Sequence, residues 1–249
     1  MNPEDRKPVR NTIILIVGLL VFWQLAYAII GDVAMRSPLQ TFLFTVKLVQ
    51  TDTFFNHLLN SMHAFALALA IAVGLGLLIG FSLGVHKLSG RAWEPMLVAL
   101  YSIPKITLYP ILLLVFGIGM SAKVAFGAIH GIIPIALFTL SAVRGIRPIL
   151  LKTGRVLKLS PPAMITSIMF PAAVPEIFTG VRVGFSLTLI GTILGEMFAA
   201  QHGLGYLLMN AIGLYNIDVI MSVTLLLVVF ASVVNGILLA IDHRLHHAA

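Results

Sequence analysis

The chain contains no cysteine, which excludes disulfides and thiolate metal sites. Charge is nearly as scarce. Asp, Glu, Lys and Arg make up 10% of its 249 residues, against about 25% in a soluble domain. This deficit marks a polytopic membrane chain more firmly than the 59% hydrophobic content or the mean hydropathy of +1.03, because a buried core can also be oily. No G-x-x-x-x-G-K-[S/T] occurs, so the chain lacks the loop that would cradle nucleotide phosphates. The net charge of +7 does not point to nucleic acid, since the basic residues cluster in short segments between apolar runs. That distribution carries topology.

A bilayer core of about 30 Å needs roughly 20 apolar residues per helix, and six segments meet that need. The first, 12–31, holds Trp23 and Tyr27 near its far end. Behind a charged leader it is too long for a signal-peptide core and no small-residue cleavage pattern follows it, so it is expected as a retained span. The second lies within 60–85, where GLGLL and GLLIGFSLG offer small-residue packing surfaces. The third, 93–117, contains Pro104, Lys105 and Pro110 and is not expected to be one straight helix. The fourth is 121–143, the fifth is 174–199 with Arg182 and Glu196, and the sixth, 219–241, has no charge. The expected fold is all-α, a polytopic membrane bundle of six transmembrane helices.

Placing the N-terminus inside puts eleven Lys and Arg in cytoplasmic segments and three, Arg36, Lys47 and Lys123, in outer ones. The positive-inside bias therefore predicts cytoplasmic termini. The expected division is a cytoplasmic segment 1–11, a membrane domain 12–241 with a cytoplasmic loop 144–171, and a cytoplasmic tail 242–249. Within the outer segment 32–59, mixed three- and four-residue apolar spacing fits either an interfacial helix or a short connector packed on the bundle.

The 144–171 loop has internal features. ILLKTGRVLKL can form a helix of two to three turns, with Ile149, Leu150, Val156, Leu157 and Leu159 available for an apolar side. Ser160 before Pro161 reads as an N-cap followed by proline at the first helical position, opening a second helix that runs to Pro171. Two readings stand on the loop alone: a rigid element protruding toward a partner, or a basic connector that only fixes topology.

The downstream stretch PAAVPEIFTGVRVGFSLTLIGTILGEMFAAQHGLGYLL resembles the permease subunits of bacterial ABC importers, in the nitrate, taurine and alkanesulfonate group. The matching positions are Phe170-Pro171, the Pro171 to Pro175 spacing, Gly180-Val181-Arg182, Glu196-Met197-Phe198 and Gly203-Leu204-Gly205. YSIPKITLYPILLLVFGIGMSAK looks like the same group's third span and following turn, and the likeness runs from about residue 38 to 241. By this resemblance the fold is that of a type I importer permease, and the cytoplasmic loop is the ATPase-coupling EAA loop. Lys152, Thr153 and Gly154 stand at the EAA positions, followed by Arg155, Val156 and Leu157. Lys158 stands where the family has glycine, and Leu159, Ser160 and Pro161 complete the element. A lysine held at positive φ there costs roughly 1 kcal/mol or more, so either the turn is reshaped or it does not need that conformation. A second departure follows Ser61-Met62, where the family's arginine is replaced by His63.

The resemblance further implies a second permease copy, two cytoplasmic ABC ATPase subunits that hold Mg-ATP, and a periplasmic or lipid-anchored solute-binding protein, all at a bacterial inner membrane in contact with lipid. The chain itself would bind no cofactor and would not be an enzyme. Pro104, Lys105 and Pro110 in the interrupted span, with Glu196, are the translocation-path candidates, because broken helices often mark substrate paths. Lys105 could attract a sulfonate- or nitrate-like anion or snorkel to an interface. Glu196 could line the path or be a helix-end acid paired locally. The alternative is a self-sufficient secondary transporter, or a membrane enzyme, using Glu196, His130 and Lys105, although no motif links these residues. His130 reads as a hydrogen-bonded bundle residue. His243 and His247, four apart, read as a solvated tail rather than a metal site.

Overall fold

The computed structural model describes residues 6–248. The start of the expected 1–11 segment, the last residue of the expected tail, and the side chains of Arg6, Lys7, Lys87 and His247 lie outside the described residues. In chain order the helices are α1 (Arg6–Ile30), α2 (Pro38–Leu48), α3 (Asp52–Val85), α4 (Lys87–Ser102), α5 (Tyr109–Phe116), α6 (Met120–Arg144), α7 (Pro148–Val156), α8 (Pro161–Met164), α9 (Phe170–Ala199), α10 (Leu204–Gly213) and α11 (Ile217–Ala248). Five helices are long and apolar enough to cross a membrane, or six when the bent pair of α4 with the segment Lys105–Phe116 counts as one. No strand occurs among the described residues. The all-α membrane bundle is therefore as expected.

The chain forms two compact units, one from residues up to Phe55 with Leu207–Val229, the other from Asn56–Tyr206 with the residues from Phe230 onward. In the first unit the outer segment contains the helix α2. Ser37 and Gln40 build a reciprocal capping box at its start, Gln40 N–H donating to Ser37 Oγ and Ser37 N–H to Gln40 Oε1. Trp23 Nε1 donates to Arg36 O at 2.9 Å. The Arg36 guanidinium grips Asp218 through Nε at 2.6 Å and Nη2 at 3.2 Å. These contacts tie the far end of α1 to the start of α11.

In the second unit α3, α6 and α9 form the core. α3 approaches α6 along Gly76, Gly80 and Gly84, where an added Cβ would lie within 2.7 Å of Ile135, Ala136 O and Val143 respectively. α6 in turn offers Gly127 and Gly131 to Thr192 and Thr188 of α9. Such close approach is what small residues provide in a membrane, where apolar burial alone does not drive helices together. Gly80 is the tightest point on α3, with a Cβ 2.4 Å from Ala136 O and 2.6 Å from Thr139 Cβ, neither of which can rotate away. Gly80→Val is thus expected to cost about 1–3 kcal/mol by overpacking and to lower the thermal midpoint of the purified chain. An unchanged midpoint would show that the two helices are not held in this contact.

The third span breaks as its prolines predict. Pro104 forces Ile103 into an extended conformation (φ −66°, ψ 134°), which ends α4. A 3₁₀ turn, Lys105–Leu108, then leads into α5, where Pro110 is tolerated in the first turn. The two halves meet at 87°. Lys105 Nζ donates back to Tyr101 O at 3.1 Å, meeting a carbonyl that the break leaves free.

Elsewhere the expected boundaries shift. α3 starts at Asp52 rather than near residue 60, because Thr51 Oγ1 accepts from Phe54 N and caps the helix there. A short apolar helix, α10, follows Gly203 and was not expected. The largest difference lies at Pro171. The segment opened by Pro161 is not a separate helix ending there but continues into the fifth span as one 38-residue helix, Pro161–Phe198. A π-helical turn, Ile165–Met169, sits immediately before Pro171. A wider turn moves carbonyls away from a proline ring that would otherwise clash with them, which is how the helix passes this residue.

Candidate functional site

At one end of the second unit, α7 is mounted on the head of that long helix. Gly154 is buried, and a Cβ there would lie 2.6 Å from Met164 and 2.7 Å from Ile168. Gly154 therefore sets the distance between α7 and the π-helical turn. Beyond it α7 ends in a Schellman motif: Leu159 N–H donates to Gly154 O and Lys158 N–H to Arg155 O, each at 3.0 Å. The residue at the turn is Lys158, at φ +52°. The turn does take the left-handed conformation, and a lysine occupies it. Ser160 stands at the N-cap position with Pro161 at the first helical position, but its side chain makes no capping bond. Its carbonyl accepts from Met164 N instead.

The rim of this element is exposed. Lys152, Thr153, Arg155, Val156, Leu157 and Lys158 all face outward, with Val156 80% and Leu157 65% exposed. Ile149 and Leu150 are exposed as well, so the inward side is made by Leu151 and Gly154. Among the described residues Lys152, Arg155 and Lys158 pair with no carboxylate, whereas Arg144, just upstream, is bound to Glu94 of α4. Lower on α9, Arg182 lies 3.2 Å from Asp242, an ion pair without a directed hydrogen bond, and Thr179 donates to the same carboxylate at 2.9 Å. Among the described residues no metal-ligating group occurs, and His243 joins none.

At the other end of α9, Glu196 is fully buried. It accepts from Ser61 Oγ at 2.6 Å, from Lys123 Nζ at 3.1 Å and from Gly205 N at 3.1 Å. A carboxylate only accepts, and here it has three donors. It also sits near a helix C-terminus, where negative charge opposes the helix dipole. Lys123, 3% exposed, compensates both the dipole and the charge. The 200–205 loop closes over this pair. Lys123 Nζ donates to His202 O at 3.3 Å, Leu204 N to Ser61 Oγ at 2.7 Å, and Gly203 N to His57 Nδ1 at 3.0 Å. Gly203 has φ +125°, and a Cβ on it would fall 2.2 Å from the Glu196 carboxyl carbon. The glutamate and the Gly-Leu-Gly, seven to nine residues apart, are thus two halves of one contact.

The bent span reaches the same region. Tyr109, between Lys105 and Pro110, donates its hydroxyl to Gly195 O at 2.6 Å and packs edge-on against Phe126. Pro104, Lys105 and Pro110 stay at the exposed bend and do not enter the Glu196 cluster. His130 lies one turn from Phe126, its ring nitrogen 2.8 Å from Phe126 O, as a bundle histidine. Glu196 and His130 are thus engaged in separate contacts. Sequence reasoning missed Lys123, counted as a loop cation, together with Ser61, His57 and Tyr109. The available signal was Lys123 itself, a cation within the first turns of an apolar span.

Residues 72–247 match the family described as "Binding-protein-dependent transport system inner membrane component". Among curated relatives, the putative aliphatic sulfonates transport permease protein SsuC of Bacillus subtilis (strain 168) is 26% identical, the match covering 83% of this chain and 78% of SsuC. The nitrate import permease protein NrtB of Synechococcus elongatus is 27% identical over 84% of this chain and 78% of its own length. The taurine transport system permease protein TauC of Escherichia coli (strain K12) is 25% identical over 98% and 90%. Among solved structures, the inward-facing MetNI methionine ABC transporter superposes with a TM-score of 0.60 at 18% identity, covering 85% of this chain and 99% of that one. At that identity the likeness speaks for the fold.

Proposed function

This chain belongs to the family of binding-protein-dependent transport system inner membrane components, and on that premise we propose that it is the permease subunit of an ATP-driven importer of small anions, coupled to separate ATPase subunits through its 144–171 loop. The observation that carries the coupling is the outward face of α7, where Lys152, Arg155 and Lys158 stand unpaired among the described residues around exposed Val156 and Leu157. An apolar centre rimmed by one sign of charge fits a docking face for an acidic groove. The names of the relatives, which handle sulfonates, nitrate and taurine, support an anionic solute. The chain is then a transport subunit rather than an enzyme, at a bacterial inner membrane, with both termini cytoplasmic by its Lys and Arg bias. It works as a homodimer with two ATPases, which hold Mg-ATP, and with a periplasmic or lipid-anchored binding protein.

The long helix gives the motion a route. From Pro161 to Glu196 it runs about 52 Å at 1.5 Å per residue without a break in the chain of helical turns. Movement of α7 is delivered to its head through the Gly154 contact with Met164 and Ile168. At its far end the helix carries Glu196, which holds Lys123, Ser61 and the 200–205 loop. Closure of the ATPases would displace the head and reorder the loop, opening the path, and hydrolysis would reset it.

Gentle purification of the chain from its native membrane, followed by identification of co-purifying subunits and their stoichiometry, tests this reading. One nucleotide-binding subunit per permease is expected. A chain that emerges alone and moves solute in liposomes without ATP would overturn it.

A further inference from the structure

Beside the buried ion pair lies a cavity of about 390 Å³, lined in part by Asn60, Gly119, Met120, Lys123, Gln201 and His202. We propose that this cavity binds the anionic group of the solute, a sulfonate or an anion of similar size; the assignment rests on the importer reading above and names the site that reading lacks.

The one side chain of fixed charge in the lining is a cation. Asn60 and Gln201 bring amides, each with N–H donors and a carbonyl oxygen, one Asn60 N–H already donating to Asn56 O at 3.0 Å; His202 brings an imidazole and Lys123 an ammonium, and no carboxylate lines the space. The ammonium has three N–H donors. Two go to Glu196 and to His202 O, so the third is free to meet a guest among the described residues. Glu196 does not compete for it, because its other oxygen is turned away to Ser61 Oγ and Gly205 N. The cavity also meets the start of α6, a 25-residue helix whose first residues follow Gly119 with no side-chain cap. Its first-turn N–H groups have no partner within the helix, and the helix dipole adds positive potential there. A buried cation with a spare donor and an uncapped helix start converge on one space. A small cation would find no acceptor carboxylate in it.

The location suits a solute in transit. Lys123 and His202 belong both to the cavity wall and to the network that holds the 200–205 loop. An anion drawing on the third donor of Lys123 is therefore in contact with the contacts that the long helix would reorder. Occupancy and closure would act on the same residues.

The test uses the full chain in phosphatidylcholine nanodiscs, with radiolabelled methanesulfonate as the probe and methylammonium as the control. Saturable binding at one site per chain is expected, displaced by nitrate and untouched by methylammonium. Gln201→Glu and Asn60→Asp place a negative charge on the wall and leave both members of the Lys123–Glu196 pair in place. Each should weaken binding at least tenfold with an unchanged thermal midpoint. No saturable binding by the unaltered chain, or equal binding by both variants, overturns the proposal. So does loss of binding when phosphatidylglycerol replaces part of the lipid, since the occupant would then be a lipid phosphate. In liposomes carrying the chain with its ATPase and binding protein, normal anion uptake by Gln201→Glu would reject this site while leaving the importer intact. Absence of any ATP-driven anion uptake by the unaltered complex would instead reject the anion-importer reading itself.

Discussion

Lys123→Met is expected to destabilise the chain by about 3–5 kcal/mol, the range for breaking a buried ion pair by removing one partner. The cost comes from what is left behind. Glu196 would stay fully buried with only Ser61 Oγ and Gly205 N as donors, and its charge would face the unfavourable end of α9 alone. Glu196→Gln strands the other charge. Lys123 would keep His202 O and lose its counter-ion, so a loss of similar size is expected. The double variant Lys123→Met with Glu196→Gln removes both charges and should recover much of the loss, because a neutral amide can still receive Ser61 and Gly205. Thermal midpoints of the four proteins in one detergent form the cycle. Single variants that shift the midpoint by less than a degree, or a double variant equal to the sum of the singles, would show that the pair does not hold the end of α9.

This pair also marks where the sequence was readable. The charge deficit and the six apolar segments gave the bundle, because a membrane leaves the backbone little choice except helices. Pro104 announced the bend in the third span, since helical conformation is disfavoured for the residue before a proline. Pro171 gave the opposite lesson. Its effect depends on whether the preceding turn can widen, and the π-turn at Ile165–Met169 shows that it does; nothing in local composition reveals this. Glu196 was visible as a costly charge, but its partner sits 73 residues away. Lys123 reads as a loop cation in one dimension and becomes a buried counter-ion only when α6 lies against α9. The Gly203-Leu204-Gly205 motif was recognised by likeness. Its physical reason, a backbone pressed onto a carboxylate where no Cβ fits, needed coordinates.

The 144–171 loop separates geometry from charge at a single residue. Lys158 occupies the left-handed position of the Schellman turn at φ +52°, where a non-glycine residue costs roughly 1–2 kcal/mol. Lys158→Gly should relax that strain and raise the thermal midpoint, with Leu159 N–H still reaching Gly154 O. Lys158→Glu keeps the strain and reverses the charge on the face formed with Lys152 and Arg155. If α7 docks an acidic groove on an ATPase, the reversed charge should cut ATP-driven uptake at least tenfold while the midpoint stays where it was. Lys158→Gly, which removes one positive charge and adds none of the wrong sign, should leave uptake between that of the unaltered chain and that of Lys158→Glu. The mechanical half of the proposed coupling is tested at Gly154. Gly154→Leu leaves every basic residue in place but drives a side chain into Met164 and Ile168, lifting α7 from the head of the long helix. Uptake should then fail even though the ATPase still co-purifies. Normal uptake by Lys158→Glu would mean that the basic face serves topology alone. A Gly154→Leu chain that binds its ATPase and still transports would mean that motion enters the membrane by another route than the helix carrying Glu196.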